Sequence, residues 1–175
     1  YLPATLSIGA ITVDLVHYGN LTIEYLSFAS LVADVATGTI SLSAADRTIG
    51  DVLLVSRGGD ISVKVDACAS IQVTLFDHAD ASVTAGDVAG TFAIVTNGVD
   101  HEVLAYSTVA AVVSLSGSDA DVELREIYAP DIRIEVVSSR VLYVNGDTAY
   151  AYDSVTVVEM DSDITLRGVP DDSNG

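Results

Sequence analysis

Short strand-like runs that recur about every ten residues constrain this chain more than any other feature. Runs alternating apolar and polar positions begin near Ile40, Val52, Ile61, Ile71, Ala81, Phe92, Val103, Ala111, Val122, Ile132, Val141, Val155 and Ile164. A repeat at fixed period means that one small unit is stacked many times, and that no single unit buries its own apolar face. Within each run the period is two, which is the signature of a strand with one side buried. The outward set is equally regular: Ser62 and Lys64, Gln72 and Thr74, Ser82 and Thr84, Glu123 and Arg125, Arg133 and Glu135. The inward set, including Val63, Val73, Val83, Leu124, Ile134, Val157 and Leu166, is expected to be inaccessible.

A turn signal stands before many of the runs. It is seen in Gly50-Asp51-Val52, Gly59-Asp60-Ile61, Asp80-Ala81, Asp121-Val122, Pro130-Asp131-Ile132 and Asp163-Ile164. Glycine or proline bends the chain, aspartate bonds the nearby backbone, and a β-branched residue starts the next strand. No stretch of ten or more residues carries a 3.6-residue stripe, and residues 25–36 fit a strand as well as a helix. Three parts follow: N-terminal strands over 1–39, serving as a cap or as a donor strand between subunits; a repetitive β domain over 40–169; and a tail over 170–175.

Two all-β architectures place strands at this spacing. A parallel β-solenoid pairs each strand with one a full turn earlier, and the short, even runs point to it. An antiparallel sandwich or jelly roll is the alternative, supported by the hairpin signals Asn97-Gly98 and Asn145-Gly146. The pattern Gly59-Asp60-Ile61-Ser62-Val63-Lys64-Val65 is echoed over residues 131–136 and 163–167. It resembles the adhesin-type β-helical domains and, more loosely, is similar to the bactofilins, β-helices that polymerise end to end. The resemblance implies a solenoid fold and offers no catalytic motif. The acidic, lysine-poor composition departs from bactofilins and argues against a cytoskeletal role.

Composition narrows the function classes. Half the residues are hydrophobic but only 6% are aromatic and none is Trp, so the core is expected to be Val, Ile, Leu and Ala. There are 25 acidic and 7 basic residues, a formal net charge of −18. Such a surface repels phosphate backbones, which excludes nucleic acid as a partner. No apolar run is long enough to span a membrane. The lone Cys68 forms no intrachain disulfide and sits among small residues, as buried filler. A first residue Tyr1 in place of methionine fits a processed chain, and the Asn20-Leu21-Thr22 sequon fits glycosylation of a secreted one. The expected place is extracellular or at the cell surface.

Little catalytic chemistry converges. No nucleophile elbow, phosphate loop or Cys-His pairing is present, so the chain reads as a non-enzyme. Asp77-His78 and Asp100-His101 would stack on adjacent rungs if a turn took 23 residues, giving a metal site of His78, His101, Asp77 and Asp100. Otherwise no cofactor is expected beyond diffuse binding of calcium or another cation at Asp-rich turns. Tyr143, Tyr150 and Tyr152 are the one small aromatic patch available to a sugar. The N-terminal segment, with Leu6, Ile8, Ile11 and Val13, is β-prone and carries no lysine or internal proline to guard an exposed edge, so it is expected to reach a neighbouring subunit. The leading expectation is a self-assembling structural protein of a filament, sheath or surface layer. The alternative is an adhesin, a module binding a glycan or protein on another surface. The charge itself generates a measurable expectation. Thermal stability should rise steadily from low salt to about 1 M sodium chloride, where the screening length is about 3 Å; a melting temperature flat over that range would mean the acidity is not self-repulsive.

Overall fold

The computed structural model describes residues 7–47, 49–144 and 154–167. Every strand pair in it is parallel, so the solenoid expectation holds and the hairpin-linked sandwich does not. About seven turns of about 20 residues coil around one axis. Asn97-Gly98 ends a long strand beside Asp77 of the previous turn and forms no hairpin, and Asn145-Gly146 lies outside the described residues.

Each turn contributes one strand segment to each of two faces. On the first face lie β1 (Ser7–Tyr18), β3 (Ser27–Thr37) and β5 (Ile49–Ser56), and on the second β2 (Leu21–Glu24) and β4 (Ile40–Ala44). The three middle strands, β6 (Ile61–Asp77), β7 (Ala81–Gly98) and β8 (His101–Ser118), are long enough to serve both faces, with register irregularities where β6 and β7 turn between them. The faces separate again as β9 (Ala120–Tyr128), β11 (Arg140–Val144) and β13 (Asp163–Arg167) on the second, and β10 (Asp131–Val137) and β12 (Ser154–Met160) on the first. The ladder is continuous from β1. The N-terminal segment, expected to serve as a cap or to reach a neighbour, pairs with β3 from Ser7 to Tyr18 as the first described rung of its own solenoid, one edge of β1 remaining unpaired among the described residues. Leu6 lies outside the described residues.

Vertical columns of like residues make the core. On the first face Leu31, Val52, Ile71, Phe92, Val113 and Ile132 stack in register, and on the second Ile40, Ile61, Ala81, Val103, Val122 and Val141 do. All are buried and belong to one apolar cluster. Branched aliphatics suit this geometry because identical shapes one rung apart interdigitate with few voids. Tyr143 joins the core, its hydroxyl donating to the Ile127 carbonyl, so it is not part of a surface aromatic patch; Tyr150 and Tyr152 lie outside the described residues.

Three sequence expectations about exposure fail for local reasons. Thr74 is buried because Val55 and Val95 flank it in register and the Gln72 amide reaches its hydroxyl at 3.3 Å. Val157 and Leu166, expected inside, are 39% and 47% exposed because they belong to the last described rung and have a neighbour on one side only.

Corners are where the sequence uses Asp and Gly. Of eight non-glycine residues with positive φ among those described, five are Asp46, Asp77, Asp100, Asp119 and Asp161, a residue type that tolerates the left-handed region through its short polar side chain. Gly117 needs to be glycine twice over. Its φ is +136°, and a Cβ there would fall 2.0 Å from the Thr96 carbonyl oxygen of the rung below. Gly117→Ala should therefore cost about 2 kcal/mol or more in urea unfolding, whereas Gly9→Ala, with nothing within 4 Å of its Cβ, should stay within about 0.5 kcal/mol.

Cys68 packs inside as filler. Burial, helped by the negative charge of Asp51, pushes its thiol up to about 11 from an ordinary 9.0. The folded state thus holds this proton over a pH range in which the unfolded chain releases it. Relative to Cys68→Ala, stability should be unchanged below about pH 9 and fall as pH rises towards 11. Urea midpoints of the two proteins at stepped pH check this; a difference that grows in the opposite direction would rule out a buried neutral thiol.

Candidate functional site

A parallel solenoid has two ends, and at each the last strand presents N–H and C=O groups with no next rung. Among the described residues nothing pairs with the outer edge of β1 or of β12. The N-terminal end is half-covered: Ile8, Ile11, Val13 and Leu15 pack partly against the core. The C-terminal end is barer. All seven residues of β12 are exposed, among them Val155, Val157, Val158 and Met160, and Leu166 of β13 joins them.

Charge is organised in columns as well. At the corner where each turn enters the second face, Asp60, Asp80, Glu102 and Asp121 occupy successive rungs, followed by Arg140 and Asp163. Like charges about 4.8 Å apart repel by on the order of 1 kcal/mol in water. The fold offsets this with bonds between rungs. The Asp80 carboxylate accepts the Glu102 N–H at 2.8 Å, and the Arg140 guanidinium pairs with Asp121 through both Nε, at 3.0 Å, and Nη2. Elsewhere Ser70 donates to Asp51 at 2.6 Å, and Arg57 grips Asp34 at 3.0 and 2.8 Å while its guanidinium lies 4.9 Å from the Phe76 ring centre. The hydrogen bonds and charge of Asp34 hold the Arg57 guanidinium above its ordinary pKa.

Beside the acidic corner, a groove of about 530 Å³ crosses the outside of the second face. Arg125, Arg140 and Arg167 line it together with Glu102, Glu123 and Asp163. Arg125 is paired with Glu123, and both are partly exposed. Three of the seven basic residues of a chain at −18 thus gather on one surface.

Of the four proposed metal ligands, the structure brings His78 beside Asp100 and leaves His101 apart. The register between these rungs is 22 residues, as in Ala81 beside Val103, so His101 stands next to Ala79 and His78 next to Asp100. His101 is buried, and its Nδ1 lies 2.8 Å from the Ala79 carbonyl oxygen, which only accepts; Nδ1 therefore carries the proton. Its Nε2 is enclosed without a partner. His78 points outward, Nδ1 3.9 Å from the Asp100 carboxylate. Asp77 is held at positive φ as a corner residue. Among the described residues, no three His, Cys, Asp or Glu side chains are disposed to hold a metal ion. Asn20 is exposed at the head of the corner column, its Oδ1 accepting the Thr39 N–H at 3.0 Å.

Sequence reading overlooked Glu24, Arg140 and Arg167, each an isolated charge along the chain. Assigning every residue to a rung and column is the signal that would have found them, because their meaning lies in what stands 19 to 23 residues away. No family model matches the chain, and no curated protein or solved structure matches it either.

Proposed function

We propose that the chain is a structural subunit that assembles head to tail through its end rungs, at the cell surface or outside the cell, to build a filament, sheath or layer. One observation carries this reading. Of eleven exposed large apolar residues among those described, eight belong to the first and last described rungs: Val16, Tyr18 and Tyr25 at one end, and Val155, Val157, Val158, Met160 and Leu166 at the other. Apolar surface that is concentrated on unpaired strand edges is surface that another β-strand covers. Covering it yields roughly 25 cal/mol per Å² of apolar area removed from water, in addition to the hydrogen bonds of a new rung. The extracellular placement is supported by the acidity, the lone buried Cys68 and the exposed Asn20 sequon.

A second reading, an adhesin that binds a glycan or protein, is favoured by the arginine-lined groove alone. The two readings differ in what the isolated monomer does. A stable monomer that retains specific glycans on an array supports the adhesin, and elongated particles in electron micrographs support the subunit. For the assembly reading, sedimentation velocity should show concentration-dependent growth. Val157→Asp and Leu166→Asp, at positions already exposed in the monomer, should leave the β circular-dichroism spectrum unchanged. Each should raise the concentration needed for growth by about tenfold or more, which corresponds to about 1.4 kcal/mol. Growth unaffected by both substitutions would remove the end rungs from the interface.

A further inference from the structure

Resting on the head-to-tail reading, we infer that copies join in one register, with β12 and β13 of one copy against β1 and β2 of the next, and that a Glu24–Arg167 ion pair across the joint selects it. The first described strand lies on the first face and the last described strand on the second, so the described strands keep the alternation of faces across such a joint.

The columns dictate which residues meet. On the first face one inward column runs from Ile11 through Leu31, Val52, Ile71, Phe92, Val113 and Ile132 to Val155. Its continuation places Val155 on Ile11 of the next copy, and Val157 on Val13. On the second face the column from Leu21 ends at Ile164, which places Ile164 on Leu21 and Leu166 on Ile23. The half-buried inward side chains of one end thus meet the exposed inward side chains of the other.

The outward columns carry the charge. One runs Glu24, Ser43, Lys64, Thr84, Tyr106, Arg125, Val144, Arg167, so the joint brings Arg167 beside Glu24. Neither has an ion-pair partner among the described residues. In the same register Thr165 meets Thr22, Thr156 meets Thr12, and Asp14 meets the neutral Val158, so no carboxylate faces another at these strand positions. Glu159 is the one charge in an inward column, at the corner, where its carboxylate accepts the Ser162 N–H at 3.3 Å. A slip of one residue would turn the apolar set outward. A slip of two keeps the inward pattern but moves Arg167 to Thr22 or Thr165 to Glu24, which loses the pair. Charge therefore decides between registers that the apolar core alone would accept.

The test uses the 175-residue chain at low ionic strength. Glu24→Arg and Arg167→Glu should each raise the midpoint concentration for assembly roughly fivefold, and the double reversal should return it to within about twofold of the original. Independently, Thr22→Cys with Thr165→Cys should give disulfide-linked multimers on non-reducing gels, since strands about 4.8 Å apart fall inside the Cα window of about 4.4–6.8 Å for a disulfide. Thr12→Cys with Val158→Cys, which marks the two-residue slip that would bring Arg167 to Thr22 and leaves Glu24 and Arg167 in place, should give none. Assembly with no response to either reversal, or linkage through the slipped pair, overturns the register while the head-to-tail reading stands. A chain that stays monomeric at every concentration in sedimentation overturns that reading and the register with it.

Discussion

The structure depends on one interaction, the parallel hydrogen-bond ladder that ties each turn to the one before it. No turn has a core by itself: Leu31 or Ile61 is buried only because rungs lie above and below it. Stability in such a stack is a sum over neighbouring pairs rather than a property of the whole. This explains why the inward side chains are buried along a middle strand such as β7 and exposed along β12. Among the described residues, the same arithmetic leaves the outer sides of the first and last rungs core in composition and surface in position.

Aspartate has two roles in this scheme. At positive φ it turns corners, as at Asp46, Asp100 and Asp119; at the start of a strand it binds the next rung, as Asp80, just before β7, does to Glu102 and Asp121, in β9, to Arg140. Glycine performs the first task at Gly117, where the backbone of the rung below leaves no room for a side chain. A chain that turns this often with Asp accumulates negative charge as a by-product of its geometry. The net charge of −18 is therefore first a structural fact, and any cation preference is secondary.

Much of the fold was legible because the solenoid writes its geometry at short range. The run starts at Ile40, Val52, Ile61, Ile71 and Phe92 all belong to the inward columns, and the period-two rule places Val63, Val73, Val83, Leu124 and Ile134 inside. What was illegible depended on counting between rungs. Turn lengths of 19 to 23 residues are each compatible with the ten-residue rhythm, yet a single residue of difference separates His78 from His101 and places Ala79 between rungs instead. The ends were misread for another reason. Alternation identifies an inward residue but not whether a further rung covers it, so Val157 and Leu166 look like core in sequence and are surface in the fold. Tyr143 was read as a sugar platform because aromatic residues are rare here, when its hydroxyl had a carbonyl to reach inside.

The hydrogen bonds of the ladder run along the long axis, while the covalent chain runs across it. A load applied along that axis from end to end is carried by those bonds in series with no peptide bond in parallel, until a corner straightens. Such a body yields by peeling, one rung of roughly 20 residues at a time, and each peeled rung leaves its neighbour as a new and similar end. The molecule is therefore mechanically graded rather than brittle: it gives up length in uniform steps and leaves the remaining coil intact.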